Sequence, residues 1–325
     1  MRRIRYYEHG GPEVLTMEEV EVPVPGAEQV LIRAEAVGAN FVDTVFRRGP
    51  AAGSPFQRPL PGLLTGDVVG TVEAVGPGVD PGLVGRRVAA LVAEDAFADH
   101  VVTDARWLAE VPPGLDNGAA SVLPMAAPVA LRVLRAGRLA PGETVLVHAA
   151  AGGIGHLAVQ LARLLGAGRV IGTAGSPDKL EFVREQGADV AIDYTDDTWP
   201  DQVRKAAPDG VDVVLDSVGG GVLRSGLDLL APFGRLVVYG AASRELSEIP
   251  VAGLFALRSV TGFSLLAWRA ADPVRAREEM EELAGHFTAG RLRAVVHARL
   301  PLTEASAAHR LLEERAHRGR VLLLP

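Results

Sequence analysis

The sequence predicts an α/β protein with two parts: a β-rich part, and a parallel sheet covered by helices on both faces. Residues 1–120 contain short runs of β-branched residues separated by glycine and proline, a pattern typical of an all-β or barrel-like domain. From residue 143, apolar strands alternate with amphipathic helices over short connections, which is typical of a parallel sheet. This alternation fades after residue 266.

Composition and charge exclude several classes of function. Of 325 residues, 48% are hydrophobic and 22% charged, and the length suggests about two domains. The net charge of −7 argues against a nucleic-acid partner. There is no cysteine, which excludes disulfides, thiolate catalysis and cysteine-ligated metals. Because the sequence shows neither a secretory signal nor a membrane-spanning run, we expect a soluble, cytoplasmic protein without a membrane partner.

The predicted elements follow from these patterns in order. In the β-rich part, NFVDTVFRRG (40–49) predicts one short helix, and residues 116–137 predict two helical segments broken by Pro124 and Pro128. In the alternating part, ETVLVHA predicts a buried strand and IGHLAVQLARLLGA a helix that stops at Gly166. Strands and helices then alternate to residue 266, with a polar helix near 198–206. A long polar helix is predicted over 273–289, and the last strand is GRVLLLP.

A glycine turn joins the strand at 144–148 to the helix that begins near 154. Aligned on the fingerprint G-x-G-x-x-G, it has Ala150 in place of the first glycine, followed by Gly152 and Gly155. Such a turn lets the backbone approach a pyrophosphate, which is bound by backbone N–H groups and the helix dipole. Ala150 is acceptable there if its φ is negative. A tight turn without a ligand is the alternative, which the flanking βαβ unit disfavours.

The end of the second strand indicates NADP rather than NAD. An NAD site usually has a carboxylate about 20 residues on, at the strand tip, whereas here the tip has Ser176, with Lys179 just beyond. A hydroxyl and an ammonium group favour a 2′-phosphate. Two observations keep the alternative open: Asp178 is acidic, and Lys179 could be a solvated surface lysine.

Together, several motifs resemble the zinc-free quinone oxidoreductase branch, which includes zeta-crystallin, of the medium-chain dehydrogenase/reductase superfamily. The resemblance covers essentially the whole chain. It is carried by HGGPEVL (9–15), VGANFVDTVFRRG (37–49), GDVVGTVEAVG (66–76), VLVHAAAGGIG (145–155), IGTAGSPDK (171–179), ADVAIDY (188–194), LDSVGG (215–220) and GRVLLLP.

The resemblance implies a fold, a cofactor and domain boundaries. The implied fold is a Rossmann doubly wound parallel sheet inserted in a GroES-like β-rich catalytic domain. Its segments would be 1–122 (first part of the catalytic domain), 123–264 (Rossmann NADP-binding domain) and 265–325 (return to the catalytic domain). The implied cofactor is NADPH. Family analogy also implies a homodimer formed through the sheet edge near 255–266.

The glycine turn, the tip of the second strand and the resemblance together give the candidate cofactor-binding residues. They are Pro128, Ala151, Gly152, Gly153, Ile154, Gly155, Thr173, Ser176, Lys179, Tyr194, Ser217, Gly240, Gly262, Phe263 and Arg315. Tyr194 could equally be a packing tyrosine, and Arg315 a surface arginine. His156, just after the turn, is more typical of a structural histidine at a helix N-terminus than of a catalyst.

The positions that bind catalytic zinc in related dehydrogenases are occupied here by Asn40, Gly66 and Met125. Because catalytic zinc usually has three nitrogen, sulfur or carboxylate ligands, we expect no metal. Without a Lewis acid, hydride transfer suits acceptors that are already electrophilic. The predicted activity is therefore NADPH-dependent reduction of quinones or α,β-unsaturated carbonyl compounds.

Asn40 and Asp43 are the candidate catalytic residues. Asn40 either hydrogen-bonds the nicotinamide or substrate, or caps a helix. Asp43 is either a buried helper in the same short helix or a first-turn carboxylate. Two departures from the family affect the substrate: Pro128 stands where a threonine often contacts the nicotinamide amide, and Val45 and Phe46 replace tyrosines. Two alternatives therefore stay open: an enoyl reductase of polyketide or fatty-acid type, and a low-activity NADPH-binding structural or regulatory protein.

Overall fold

A computed structural model describes residues 1–49, 58–245 and 247–325. These residues form two compact units. The first comprises Met1–Met125, Met280–Thr288 and Ala294–Pro325, and the second Ala126–Glu279 and Ala289–Arg293. The resemblance implied domain boundaries after residues 122 and 264. The second unit instead begins at Ala126, and its main segment extends to Glu279, beyond the implied second boundary.

The first unit is mostly β-structure, as the glycine- and proline-punctuated runs predict. Its N-terminal part contains β1 (Arg2–Arg5), β2 (Thr16–Glu19), β3 (Gln29–Gly38), α1 (Phe41–Arg48), β4 (Gly66–Val75), β5 (Arg87–Val92), β6 (His100–Asp104), β7 (Ala109–Glu110) and α2 (Asn117–Ala120). The helix predicted over 40–49 is therefore confirmed as α1.

The second unit has the predicted alternation of strands and helices. It contains α3 (Ala126–Ala136), β8 (Thr144–Val147), α4 (Gly155–Leu164), β9 (Arg169–Ala174), α5 (Leu180–Glu185), β10 (Val190–Asp193), α6 (Trp199–Ala206), β11 (Val211–Asp216), α7 (Gly220–Asp228), β12 (Leu230–Val238), β13 (Ser259–Gly262), α8 (Leu265–Ala271) and the start of α9 (Pro273–Thr288). The chain ends with β14 (Val296–Pro301), α10 (Ala305–Glu313) and β15 (Arg320–Leu324), which belong to the first unit.

One prediction about helix ends is wrong. Pro124 lies in the break between α2 and α3, but Pro128 lies within the first turn of α3 rather than at a second break. A proline is tolerated there because the first N–H groups of a helix have no partner within the helix.

Six parallel strands form the sheet of the second unit, in the order β10-β9-β8-β11-β12-β13. Counted along this unit, this is the order 3-2-1-4-5-6 of dinucleotide-binding sheets. Its core consists of apolar side chains from strands and helices, among them Leu146, Ile171, Val203, Val214 and Leu236, each no more than 2% exposed.

A separate sheet in the first unit has the order β14-β15-β3-β4-β5-β7, and β6 also pairs with β3. β15 is antiparallel to β3 and parallel to β14. The core beneath it includes Ile32, Leu64, Val68, Phe97 and Leu323, all fully buried.

A buried ionic cluster holds α10 against α1 in the first unit. The guanidinium of Arg47, fully buried, forms an ion pair with Glu313 and donates to Gly10 O at 2.6 Å and to His309 Nδ1 at 3.2 Å. An arginine can be buried in this way because most of its donors find acceptors. Within the described residues, no helix is long and apolar enough to cross a bilayer.

Candidate functional site

The carboxyl ends of all six strands of the second unit lie at one edge of its sheet. Most of the predicted cofactor-binding residues are in the segments that follow these ends: Ala151–Gly155 after β8, Ser176 and Lys179 after β9, Tyr194 after β10, Ser217 after β11, Gly240 after β12, and Phe263 after β13, which itself ends at Gly262. Neighbours β8 and β11 mark the point where the strand order reverses. In open α/β sheets, ligands bind at this switch point.

The glycine turn takes a shape that its sequence did not reveal. Ala149 has a left-handed φ of 50°, whereas Ala150, in the place of the first fingerprint glycine, is not among the residues with positive φ and is fully buried. At Gly155, the first residue of α4, a Cβ would overlap the Ala149 carbonyl oxygen and lie 2.8 Å from Ala150 Cα. Gly155 therefore permits the close approach of the helix to the turn, as predicted.

The N-terminus of α4 presents unpaired backbone donors. Within residues 1–49, 58–245 and 247–325, the N–H groups of Gly153, Ile154 and Gly155 have no hydrogen-bond partner. Gly152 N, by contrast, donates to Ala149 O at 2.9 Å. Consecutive free N–H groups at the positive end of a helix dipole form a binding site for an anion.

Three residues predicted to bind a 2′-phosphate lie in the segments that follow the neighbouring strands β9 and β10. The parallel register of β9 and β10 places Tyr194 beside Gly175, where a Cβ would lie 3.0 Å from the tyrosine hydroxyl. Ser176 is partly exposed, its hydroxyl does not cap the next helical turn, and Lys179 ends that turn with 7% of its surface exposed. A hydroxyl, an ammonium group and a phenol thus lie in two adjacent loops.

Residues Ser217, Gly240, Gly262 and Phe263 also belong to adjacent strand ends. A Cβ at Gly240 would lie 2.9 Å from Ser217 O, and Phe263 N donates to Val238 O at 2.8 Å.

The segment after β11 is held by Asp216, a residue that the sequence analysis did not single out. Its Oδ1 accepts from Val218 N and Gly219 N, both at 2.8 Å, and burial raises its pKa to about 6.

Thr173 has a different place from the other predicted residues. It lies inside β9, is fully buried, and its hydroxyl is 2.9 Å from His148 Nδ1. Burial lowers the pKa of His148 to about 3, so the imidazole is neutral. The pair links β9 to the end of β8, directly beneath the glycine turn, which makes it a support for the turn.

In the first unit, a buried polar cluster surrounds Asn40. Arg320, 4% exposed, donates from Nη1 to Asn40 Oδ1 at 3.0 Å and from Nη2 to Asp67 Oδ2 at 2.7 Å. A Cβ at Gly38 would overlap this guanidinium. Because an arginine only donates, Asn40 presents its oxygen to Arg320 and retains Nδ2 as a hydrogen-bond donor. Asn40 precedes α1, but its side chain makes no capping hydrogen bond.

Asp43, the second candidate catalytic residue, is fully buried. Its Oδ1 accepts from Thr65 N at 2.7 Å and its Oδ2 from Thr65 Oγ1 at 2.8 Å. Burial raises the pKa of this carboxyl to about 7. The hydrogen bonds from Thr65 favour the charged form, but they offset only part of the rise in pKa that burial causes. Asp43 thus connects α1 to the residue just before β4.

The positions of zinc ligands in related dehydrogenases carry none of the imidazole, thiolate or carboxylate groups that catalytic zinc prefers. Gly66 has no side chain, and a Cβ there would lie 2.7 Å from Val37 Cγ1 and 3.0 Å from Ala96 Cβ. Across the described parts of the chain, no three histidine, aspartate or glutamate side chains are grouped closely enough to hold a metal ion.

Besides Thr173, two of the predicted cofactor-binding residues lie outside the segments that follow the strand ends. Pro128 is buried in α3 of the second unit, whereas Arg315 follows α10 in the first unit with a left-handed φ of 53°. Val45 and Phe46, in the place of family tyrosines, are partly exposed residues of α1.

Comparisons with known proteins agree with the two-part fold. The model of the alcohol dehydrogenase GroES-like domain matches residues 26–113, and that of the zinc-binding dehydrogenase family matches residues 153–284. A quinone oxidoreductase of Pseudomonas aeruginosa is 36% identical over 100% of this chain and 99% of its own length. This chain belongs to the quinone oxidoreductases of the medium-chain dehydrogenase/reductase superfamily. The predicted family and fold class are thereby confirmed.

Two further proteins similar to this chain are relevant to its function. A 2-haloacrylate reductase of a Burkholderia species is 35% identical over 98% of this chain and 97% of its own length. The structure of an Escherichia coli quinone oxidoreductase complexed with NADPH superimposes with a TM-score of 0.90, 31% identity and full coverage of both chains.

Proposed function

We propose that this chain is an NADPH-dependent reductase that transfers hydride to quinones or α,β-unsaturated carbonyl compounds without zinc. The observation that carries the proposal is the set of free N–H groups at the N-terminus of α4, located where the strand order reverses. The E. coli relative was solved with NADPH, and the relatives are named for reduction of quinones and a haloacrylate.

The residues of the second unit fit the cofactor. Gly153 and Ile154 supply N–H donors for the pyrophosphate. The Ser176 hydroxyl, the Lys179 ammonium and Tyr194 bind the 2′-phosphate, because no carboxylate stands at the tip of β9 to bind a free 2′-hydroxyl. Ser217, Gly240, Gly262 and Phe263 continue the same sheet edge and contact the rest of the dinucleotide, and Thr173 supports the turn through His148. Bound NADPH supplies the hydride.

Asn40 is the proposed polar group for the substrate. With its oxygen engaged by Arg320, its amide nitrogen donates to the carbonyl or quinone oxygen on which negative charge develops. An amide does this without titrating. Asp43 acts indirectly, by fixing α1 to Thr65. Pro128 and Arg315 remain proposed cofactor contacts on the resemblance alone.

The activity can be tested by mixing the purified protein with NADPH and a panel of quinones and enones and following the absorbance of the reduced nicotinamide. Turnover that persists after chelation, in protein with less than stoichiometric zinc, supports the proposal. Tight NADPH binding without turnover of any acceptor would favour the structural or regulatory alternative instead. Turnover of enoyl thioesters alone would favour the enoyl reductase.

The preference for NADPH has its own test. Lys179→Glu places a negative charge in the proposed 2′-phosphate site, and we expect it to raise the Kd of NADPH at least about tenfold, which corresponds to about 1.4 kcal/mol, and that of NADH much less. Lys205→Glu, at an exposed position in α6, is the matched control and should change neither Kd. Equal weakening of both cofactors by Lys179→Glu would exclude the assigned role.

We also propose that the protein is a cytoplasmic homodimer formed through β13. This strand ends the parallel sheet and pairs only with β12 among the described strands. Exposed apolar side chains lie near it, with Phe255 79% and Phe233 70% exposed, and Phe233 N donates to Leu257 O at 2.9 Å. An open strand edge beside exposed apolar residues is a surface that a second copy can cover.

A further inference from the structure

The histidine that follows the glycine turn has a specific hydrogen bond. His156 is the second residue of α4, and its side chain is fully buried. Its Nδ1 lies 2.8 Å from the carbonyl oxygen of Gly152, which also accepts from His156 N at 3.2 Å. Because a carbonyl oxygen only accepts, Nδ1 carries the proton and donates.

This hydrogen bond fixes the plane of one peptide group in the turn. The Gly152 carbonyl and the Gly153 N–H belong to the same trans peptide, and they therefore point in opposite directions. With the carbonyl held toward the helix by two donors from His156, the Gly153 N–H is directed away from the helix. That N–H is one of the free donors described above.

The imidazole itself is held in place. Its ring centroid lies 6.4 Å from that of Phe182 in α5, with the two planes tilted by 39°. The two residues flanking the peptide bond that it fixes are glycines, Gly152 and Gly153, which have the widest range of backbone conformations. The backbone His156 N–H also restrains this peptide, but over the longer distance of 3.2 Å. The shorter bond from Nδ1 adds a second restraint against rotation that would turn the Gly153 N–H away from an anion.

We propose that His156 is a positioning residue for the pyrophosphate of NADPH: its Nδ1–H orients the Gly152–Gly153 peptide so that Gly153 N–H donates to the phosphate. This rests on the proposed function, since it assumes that the dinucleotide binds at the turn. His156 does not touch the cofactor. It lowers the cost of binding by preorganising a donor.

Three variants isolate the hydrogen bond. His156→Leu fills the site with a branched apolar side chain that has no hydrogen-bond donor. Asn carries an amide nitrogen at the δ position and restores the donor near the place of Nδ1. Gln is polar as well, but its amide nitrogen is one bond further out, at the position of Nε2. Thermal unfolding of each variant verifies that it is folded.

The measurement is the Kd of two ligands, NADPH and adenosine 2′-monophosphate, which lacks the pyrophosphate. We expect His156→Leu and His156→Gln to raise the Kd of NADPH about five- to tenfold, and His156→Asn to stay within about twofold of the unaltered protein. The Kd of adenosine 2′-monophosphate should stay unchanged in all three variants. If His156→Leu does not fold, the comparison of Asn with Gln gives the same answer.

Several outcomes would overturn the inference. Equal weakening of both ligands by Leu or Gln would show a general structural effect, and unchanged NADPH binding would show that the hydrogen bond does not matter. Failure of Asn to rescue binding would exclude the donor as the cause. If the unaltered protein does not bind NADPH at all, the proposed function fails and this inference fails with it; binding without the differences among variants overturns only the inference.

Discussion

Single residues around the glycine turn adopt states that are unfavourable in isolation and that the surrounding structure must stabilise. Ala149 adopts a left-handed conformation with a φ of 50°, which costs a residue with a Cβ about 1–2 kcal/mol. His148, directly before it, is buried and neutral. The turn is thus kept in its conformation by its surroundings rather than by its own preferences.

Replacing Ala149 with glycine should stabilise the protein. Glycine removes the Cβ penalty, and the greater freedom of glycine in the unfolded chain offsets part of the gain, leaving a rise of about 0.5–1 kcal/mol in the free energy of unfolding. The measurement is urea unfolding. Ala151→Gly is the control, because Ala151 has no positive φ, and it should lower stability by about 0.5–1 kcal/mol. A loss of stability in Ala149→Gly would contradict the strain.

Asp43 should make stability depend on pH. Its folded pKa of about 7 lies above the ordinary value of 3.8, so between these values the folded protein holds a proton that the unfolded chain releases. The stabilisation from this proton is complete below pH 3.8 and is lost as pH rises to about 7. The slope from this group is at most about 1.4 kcal/mol per pH unit.

The variant Asp43→Asn does not titrate, so its stability should decline less than that of the unaltered protein between pH 5 and pH 7. Unfolding midpoints measured across this range test the difference. Asp196→Asn is the control, because the Thr198 hydrogen bonds lower the pKa of Asp196 and its titration falls below this range. Identical slopes for the unaltered protein and Asp43→Asn would exclude a raised pKa at Asp43.

For single residues, the sequence predicts which residues belong to the site better than it predicts which side chains they contact. It identified Asn40 and the turn, because both belong to recognisable motifs. It could not identify Arg320, which lies 280 positions from Asn40 and meets it only because β15 and β3 pair. It also directed attention to Ala150, whereas the left-handed residue is Ala149, and local spacing does not determine which of two adjacent alanines takes that conformation.

Among the elements, α4 and β8 illustrate how closely a helix can approach the strand before it. The contact depends on the absence of a side chain at Gly155, since the Ala149 carbonyl occupies that space. The alternation of apolar runs predicted both elements. Their separation is set by atoms of the turn between them, which a periodic pattern does not describe.

We expect Gly155→Ala to lower the free energy of unfolding by about 1–3 kcal/mol, because the new methyl group forces the turn and the helix apart. It should also weaken NADPH binding. Gly221→Ala is the matched control: this glycine lies near the start of α7 with nothing within 4 Å of its Cβ position. That variant should gain up to about 1 kcal/mol from helix propensity. Equal effects of the two substitutions in chemical denaturation would contradict the close contact.

For the whole molecule, the open edge at β13 predicts the state of assembly. Phe255→Asp places a charge in the apolar patch beside this edge and should convert a dimer to a monomer, as measured by sedimentation equilibrium. Val24→Asp is the control, because Val24 is 87% exposed but belongs to the first unit. A monomeric unaltered protein, or a dimer in Phe255→Asp, would exclude this interface.

The position of β15 determines when the first unit can be completed during synthesis. β15 lies between β14 and β3, and its Leu322 and Leu323 are fully buried. Until the ribosome has released residues 320–324, β3 lacks this neighbour and the core beneath it is open. The second unit comes almost entirely from one continuous segment, Ala126–Glu279, and domains that are contiguous can fold as they emerge. The nascent chain can therefore complete its second unit while the first unit still lacks β15.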